Sequence, residues 1–237
     1  MRTRAKPSFW PITGRVVGPA QQYQYFEDLV ITTASLRKLA LAGDADAQFR
    51  LGYRLALGRA RPRRWRQAIS WWVSAAKNGH PRALFYLGTC YDFGQGTAKD
   101  PRRAMSLYRR AAIRGNETAQ YNLALGYRDG DGVPMDPRRA VHWLQRAAEQ
   151  NYPDALRDLG VCFYEGRGTR KNWPAAVRCY RLAARRGDAK AKLNLGFCYR
   201  DGVGVRRSPA TAQRWFREAA RAGSRKAKSI LRQSRAS

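Results

Sequence analysis

Apolar side chains recur along this chain in steps of four, and that short pattern itself recurs. Ala47, Ala83, Ala119, Ala155, Ala191 and Ala227 stand 36 residues apart without a slip. Four positions after each of the first five comes Leu51, Leu87, Leu123, Leu159 or Leu195, followed at once by Gly52, Gly88, Ala124, Gly160 or Gly196. Tyr91, Tyr127, Phe163 and Tyr199 lie four residues after the leucine. Steps of four place such residues on one stripe of a helix. The pairs Gly94/Gly96, Gly130/Gly132, Gly166/Gly168 and Gly202/Gly204 then close the stripe, with Gly58/Ala60 in the first unit.

The second half of each unit is helical as well. Ala68, Ala104, Ala140, Ala176 and Ala212 precede by three a bulky residue, Trp71, Leu107, Trp143, Cys179 or Trp215, and next to it stands Trp72, Tyr108, Leu144, Tyr180 or Phe216. Paired alanines such as Ala111-Ala112 follow, then Gly79, Gly115, Asn151, Gly187 or Gly223 at a left-handed cap. Asp100-Pro101 and Asp136-Pro137 are suited to open second helices, Asp as N-cap and Pro in the first turn. Each unit therefore reads as helix, glycine turn, helix and cap. Two amphipathic helices cannot bury their faces alone, so neighbouring units must stack, and the expected fold class is all-α.

In this frame residues 47–82, 83–118, 119–154, 155–190 and 191–226 are the five repeats. Residues 27–46 read as a half-repeat cap through Leu36, Leu39-Ala40 and Gly43, and residues 227–237 as a partial repeat with a basic tail. Residues 1–26 form an arm of extended or irregular character, with Phe9, Trp10, Tyr23, Tyr25 and Phe26 among prolines.

The pattern A-x-x-x-L-G-x-x-Y-x-x-G-x-G, then D-P-x-x-A-x-x-W/Y, A-A and G, resembles the Sel1-like repeat family, relatives of the tetratricopeptide repeats, over residues 47–226. The resemblance implies a right-handed α/α superhelical solenoid of five repeats acting as a non-enzymatic scaffold or adaptor. The first unit departs from the pattern, because Gly58-Arg-Ala-Arg-Pro-Arg-Arg replaces Gly-x-Gly-Val. Cysteine-rich, secreted relatives join each repeat by a disulfide. Cys90, Cys162, Cys179 and Cys198 lack that pairing.

Composition sharpens the picture. The chain of 237 residues carries 46 Lys+Arg against 17 Asp+Glu, a net charge of +29, with mean hydropathy −0.63. Basic residues interrupt every apolar run, so membrane insertion is not expected. Pro7, Pro11, Gly14 and Arg15 break the basic start before an apolar signal core forms. With no CxxC pair, a reducing, cytoplasmic setting is the expectation, and an organellar matrix is the lesser alternative.

Chemistry is thinly supplied. His80 in Asn78-Gly-His-Pro81 reads as a solvated turn residue, His142 as a surface or partly packed group beside Trp143, and Cys179 as a buried filler. No Gly-x-Gly turn continues into a phosphate-binding signature, and no metal-ligand spacing occurs. The expectation is no enzyme, no cofactor and no metal.

Binding faces are better defined. On the first helices, the positions turned away from the apolar stripe form the expected concave groove for a partner protein: Phe49, Tyr53, Phe85, Tyr86, Phe93, Tyr121, Asn122, Arg128, Asp158, Tyr164, Asn194, Phe197 and Arg200. The first helices of the five units carry 8 basic and 6 acidic residues, and the second helices 18 and 4. Among the second-helix arginines, Arg102, Arg103, Arg109, Arg110, Arg138, Arg139, Arg185, Arg186 and Arg217 are the candidates for phosphate or acidic-partner contact. The leading function is a protein-binding scaffold. The alternative is a nucleic-acid-associated accessory protein using the arginine face.

Overall fold

The computed structural model describes residues 32–57 and 64–236. The amino-terminal arm and the turn of the first repeat lie outside these residues. Among the described residues the regular structure is entirely helical, in two compact units, one ending at Pro134 and the other beginning at Met135. The first unit contains α1 (Thr33–Leu41), α2 (Ala45–Leu57), α3 (Trp65–Lys77), α4 (Pro81–Phe93), α5 (Pro101–Ile113) and α6 (Glu117–Asp129). The second contains α7 (Pro137–Glu149), α8 (Pro153–Glu165), α9 (Trp173–Arg185), α10 (Ala189–Asp201), α11 (Pro209–Arg221) and α12 (Arg225–Ala236). Within each unit every helix packs on the one before it and the one after it. The fold class is all-α, as the 36-residue pattern predicts.

Side-chain chemistry sets the helix boundaries. Asp100 and Asp136 accept from the N–H groups of Arg103 (2.9 Å) and Arg139 (3.0 Å), capping α5 and α7 with proline in the first turn. The first helices use the position three before the repeat's alanine. Asp44, Asn116 and Asp188 accept from Ala47, Ala119 and Ala191 at 2.6, 2.7 and 2.6 Å. At the other ends the backbone turns left-handed. Asn151 takes the cap position with φ 60°, the one non-glycine with positive φ among the described residues.

The core runs between successive helices, within and between repeats, and where the two helices of one repeat meet, one contact recurs. A Cβ added at Gly52 would meet the Trp72 ring at 2.6 Å, at Gly88 the Tyr108 ring at 2.8 Å and at Gly160 the Tyr180 ring at 2.6 Å, and one at Gly196 would run into the Phe216 ring. These rings are buried. The repeat with Ala124 at the glycine position is the one with Leu144 at the ring position. The neighbouring bulky residue does less: Trp143 is half buried and meets His142 edge-on at 5.2 Å. Cys179, expected to be a buried filler, is likewise half buried, because the residue that follows each of them is the one aimed at the first helix.

Alanine is the better helix former by about 1 kcal/mol, yet Gly160→Ala should lower stability by about 1–3 kcal/mol through overpacking against Tyr180. Adding Tyr180→Leu, which reproduces the Ala124 and Leu144 arrangement, should recover part of that loss. Thermal denaturation of the two single variants and the double variant measures the coupling.

Candidate functional site

The first-helix face differs between the two units. In the first, Phe49, Phe85, Tyr86, Tyr121 and Asn122 are at most 3% exposed. This corrects the expectation that they offer themselves to a partner. Rings on adjacent helices reach one another: Phe49 lies 5.7 Å from Tyr86, Tyr86 stacks on Trp72 at 5.3 Å, and Phe85 lies 5.8 Å from Tyr108. Helix α6 is enclosed along the whole run from Thr118 to Tyr127. Tyr53, Phe93 and Arg128 remain half exposed, Arg128 paired with Asp129 at 2.7 Å.

His80 is part of the same aromatic cluster and not a solvated turn residue. Its ring stacks on Phe49 at 4.9 Å, and its Nδ1 accepts from the Ala83 N–H at 3.2 Å, capping α4. The Nε2 atom sits 3.6 Å from Asp46. Burial pushes the imidazole pKa below its usual 6.5, and Asp46 opposes this only in part. The signal available in the sequence was positional, since residue 80 occupies the place that Asp44, Asn116 and Asp188 hold in other repeats.

In the second unit the corresponding positions are more open. Asp158 is tied to Arg157, whose guanidinium reaches Asp154, Asp158 (2.8 Å) and Asp188 (2.7 Å). Burial works against the Arg157 charge, but the three carboxylates outweigh it and raise its pKa. This cluster, unassigned from sequence, joins the starts of α8 and α10 and occupies the end of the face.

Further along the face, four of the expected groove residues come together. Tyr164 of α8 and Asn194, Phe197 and Arg200 of α10 line one cavity of about 440 Å³ with Val161, Glu165, Tyr180, Cys198, Asp201 and Lys226. Arg200 lies 4.9 Å from the Phe197 ring centre and binds Asp201 through two hydrogen bonds of 2.7 and 2.9 Å. The pairing raises the Arg200 pKa and lowers that of Asp201. Burial pushes the Cys198 thiol in the cavity wall to about 11, as it pushes Cys90 to about 12 elsewhere, which keeps both protonated near neutral pH.

The arginine candidates Arg102, Arg103, Arg109, Arg110, Arg138, Arg139, Arg185 and Arg217 are all exposed on second helices, and Arg186 is exposed at the C-cap of α9. Arg103 lies 4.2 Å over the Tyr91 ring and Arg139 pairs with Asp136 at 3.2 Å. No helix among the described residues is long and apolar enough to cross a membrane.

The model of the Sel1 repeat matches the chain five times, at residues 45–80, 81–116, 118–152, 153–188 and 189–224. Among solved structures, the chain is 33% identical, with TM-score 0.81, to a protective antigen present in uropathogenic Escherichia coli strains that displays an SLR fold. It is 32% identical, with TM-score 0.75, to a Sel1 repeat protein from Oxalobacter formigenes. These alignments cover 83% and 85% of this chain but 42% and 58% of those proteins, so the chain spans about half of their length. No curated protein matches its sequence.

Two outcomes follow from the buried charges. Removing Arg157 as Arg157→Ala should cost about 3 kcal/mol, because three neighbouring carboxylates lose their shared cation; chemical denaturation reads the loss. His80 has a lowered folded-state pKa, so the stability it contributes is complete above the unfolded value of 6.5 and is lost as pH falls through the folded one. The melting temperature should therefore drop more steeply from pH 7.5 to 5 than in His80→Asn, which keeps a capping oxygen.

Proposed function

The chain belongs to the Sel1 repeat family, and from that membership we propose that it is a non-enzymatic scaffold that captures a segment of a partner protein on the first-helix face of its second unit. The observation that carries this reading is the shared cavity of Tyr164, Asn194, Phe197 and Arg200. An aromatic ring with a polar amide and a guanidinium beside it suits a protein segment: the ring supplies apolar contact area, and the amide and guanidinium can bond a backbone or a carboxylate. The first unit's aromatic residues serve mainly to hold its own helices together.

A second reading draws on the exposed arginines of the second helices. Such a face supports contact with a nucleic-acid backbone, where six neutralised phosphates give a slope of roughly −4 to −5 in log affinity against log salt. Four of these residues, Arg109, Arg110, Arg185 and Arg186, can be replaced together by Gln without touching the first-helix face.

Affinity capture from a nuclease-treated extract, followed by mass spectrometry, separates the readings. The triple variant Tyr164→Ala, Asn194→Ala and Phe197→Ala, still helical by circular dichroism, should lose the partner, and the four-Gln variant should retain it. The reverse result, with salt-dependent gel shifts abolished by the four Gln residues, would favour the nucleic-acid reading.

A further inference from the structure

The cavity in the second unit has an uneven distribution of charge. Glu165 is engaged by Arg167 at 2.8 Å and Asp201 by Arg200 at 2.7 Å. Lys226, contributed by α12, is the remaining lining charge, and its Nζ lies 5.3 Å from the centre of the Phe197 ring. That ring is its only contact of this kind, with no carboxylate within ion-pair distance among the described residues. Asn194 of α10 lines the same cavity, half exposed and with no hydrogen bond to another of the described residues.

A cation resting on an aromatic face is held by less than a carboxylate would provide, and it keeps its donors directed outward. The apolar part of the wall comes from Val161, Tyr180 and Phe197, and the volume falls within the ~300–1,000 Å³ of clefts that enclose small groups. A single uncompensated ammonium with a neutral amide donor and an apolar wall matches one carboxylate attached to an apolar neighbour. It does not match a row of phosphates, which would need several cations in line.

We infer that this cavity is a carboxylate subsite, in which Lys226 and Asn194 receive a Glu or Asp side chain of an extended partner segment while an adjacent apolar residue packs on Phe197 and Val161. This rests on the reading of the first-helix face as the binding surface and adds the chemistry of what it binds. The partner segment is therefore acidic and apolar in alternation, opposite in charge to a chain of net charge +29.

Two fluorescently labelled peptides, Gly-Leu-Glu-Phe-Leu-Glu-Phe-Gly and its counterpart with Gln in place of Glu, test this by anisotropy against the full chain in 150 mM salt. The Glu peptide should bind about fivefold more tightly, the size of a partly exposed charge pair. Lys226→Gln should remove that preference, and Arg217→Gln, an equal loss of charge on the second-helix surface, should leave it. Preference that survives Lys226→Gln overturns the subsite, as does failure of the Glu peptide to bind. If both peptides bind alike and Phe197→Ala weakens both, the face stands as the binding surface and the carboxylate subsite falls. Binding that neither Phe197→Ala nor Lys226→Gln alters overturns the face itself.

Discussion

In four of the five repeats the two helices approach until a ring on the second rests on a glycine of the first. The closeness is such that a Cβ at Gly52, Gly88, Gly160 or Gly196 would enter the ring of Trp72, Tyr108, Tyr180 or Phe216. Glycine in a helix interior costs about 1 kcal/mol relative to alanine. Burying a whole aromatic side chain against bare backbone offsets that cost severalfold. Trp72 adds a hydrogen bond from its Nε1–H to the Phe49 carbonyl at 3.2 Å, so even the polar edge of the ring is satisfied. Because this contact recurs with the repeat, the pairing of helices is largely independent of what occupies their outer surfaces.

That independence leaves the remaining faces free to diverge. The first-helix face carries Tyr86, Asn122, Asp158 and Asn194 at one and the same repeat position. The first two are buried, Asp158 is drawn into an ion cluster, and Asn194 opens onto a cavity. The second helices present arginine to solvent in both units. Surface arginines of this kind contribute little to stability, so their number is a property of the surface and not of the fold.

The junctions between successive repeats depend on polar groups. The cap side chains of α2, α4, α6 and α10 close on the alanine that begins the repeat, and Gln48 and Gln120 donate from their side chains to the carbonyls of Ala40 and Ala112 in the preceding helix. Arg157 links the cap residue Asp188 to the start of the previous first helix. Partly buried groups of this kind are costly when a partner is missing, which fixes how one helix follows the next.

The amino-acid sequence by itself determined the repeat length, the helix pairs, the caps at Asp100 and Asp136 and the left-handed position of Asn151, because each depends on residues a few positions apart. The same periodicity nominated Tyr86, Asn122 and Asn194 as equivalent binding residues. Only the tertiary structure separated them, since exposure depends on the side chains that neighbouring helices bring, and large rings converge on Tyr86 while Asn194 faces open space. It also decided that His80 is a cap within an aromatic stack, that Trp72 and not Trp71 fills the inter-helix space, and that Lys226 reaches the Phe197 ring. Those facts rest on contacts between side chains of different helices, set by packing direction, and a one-dimensional pattern carries position without direction.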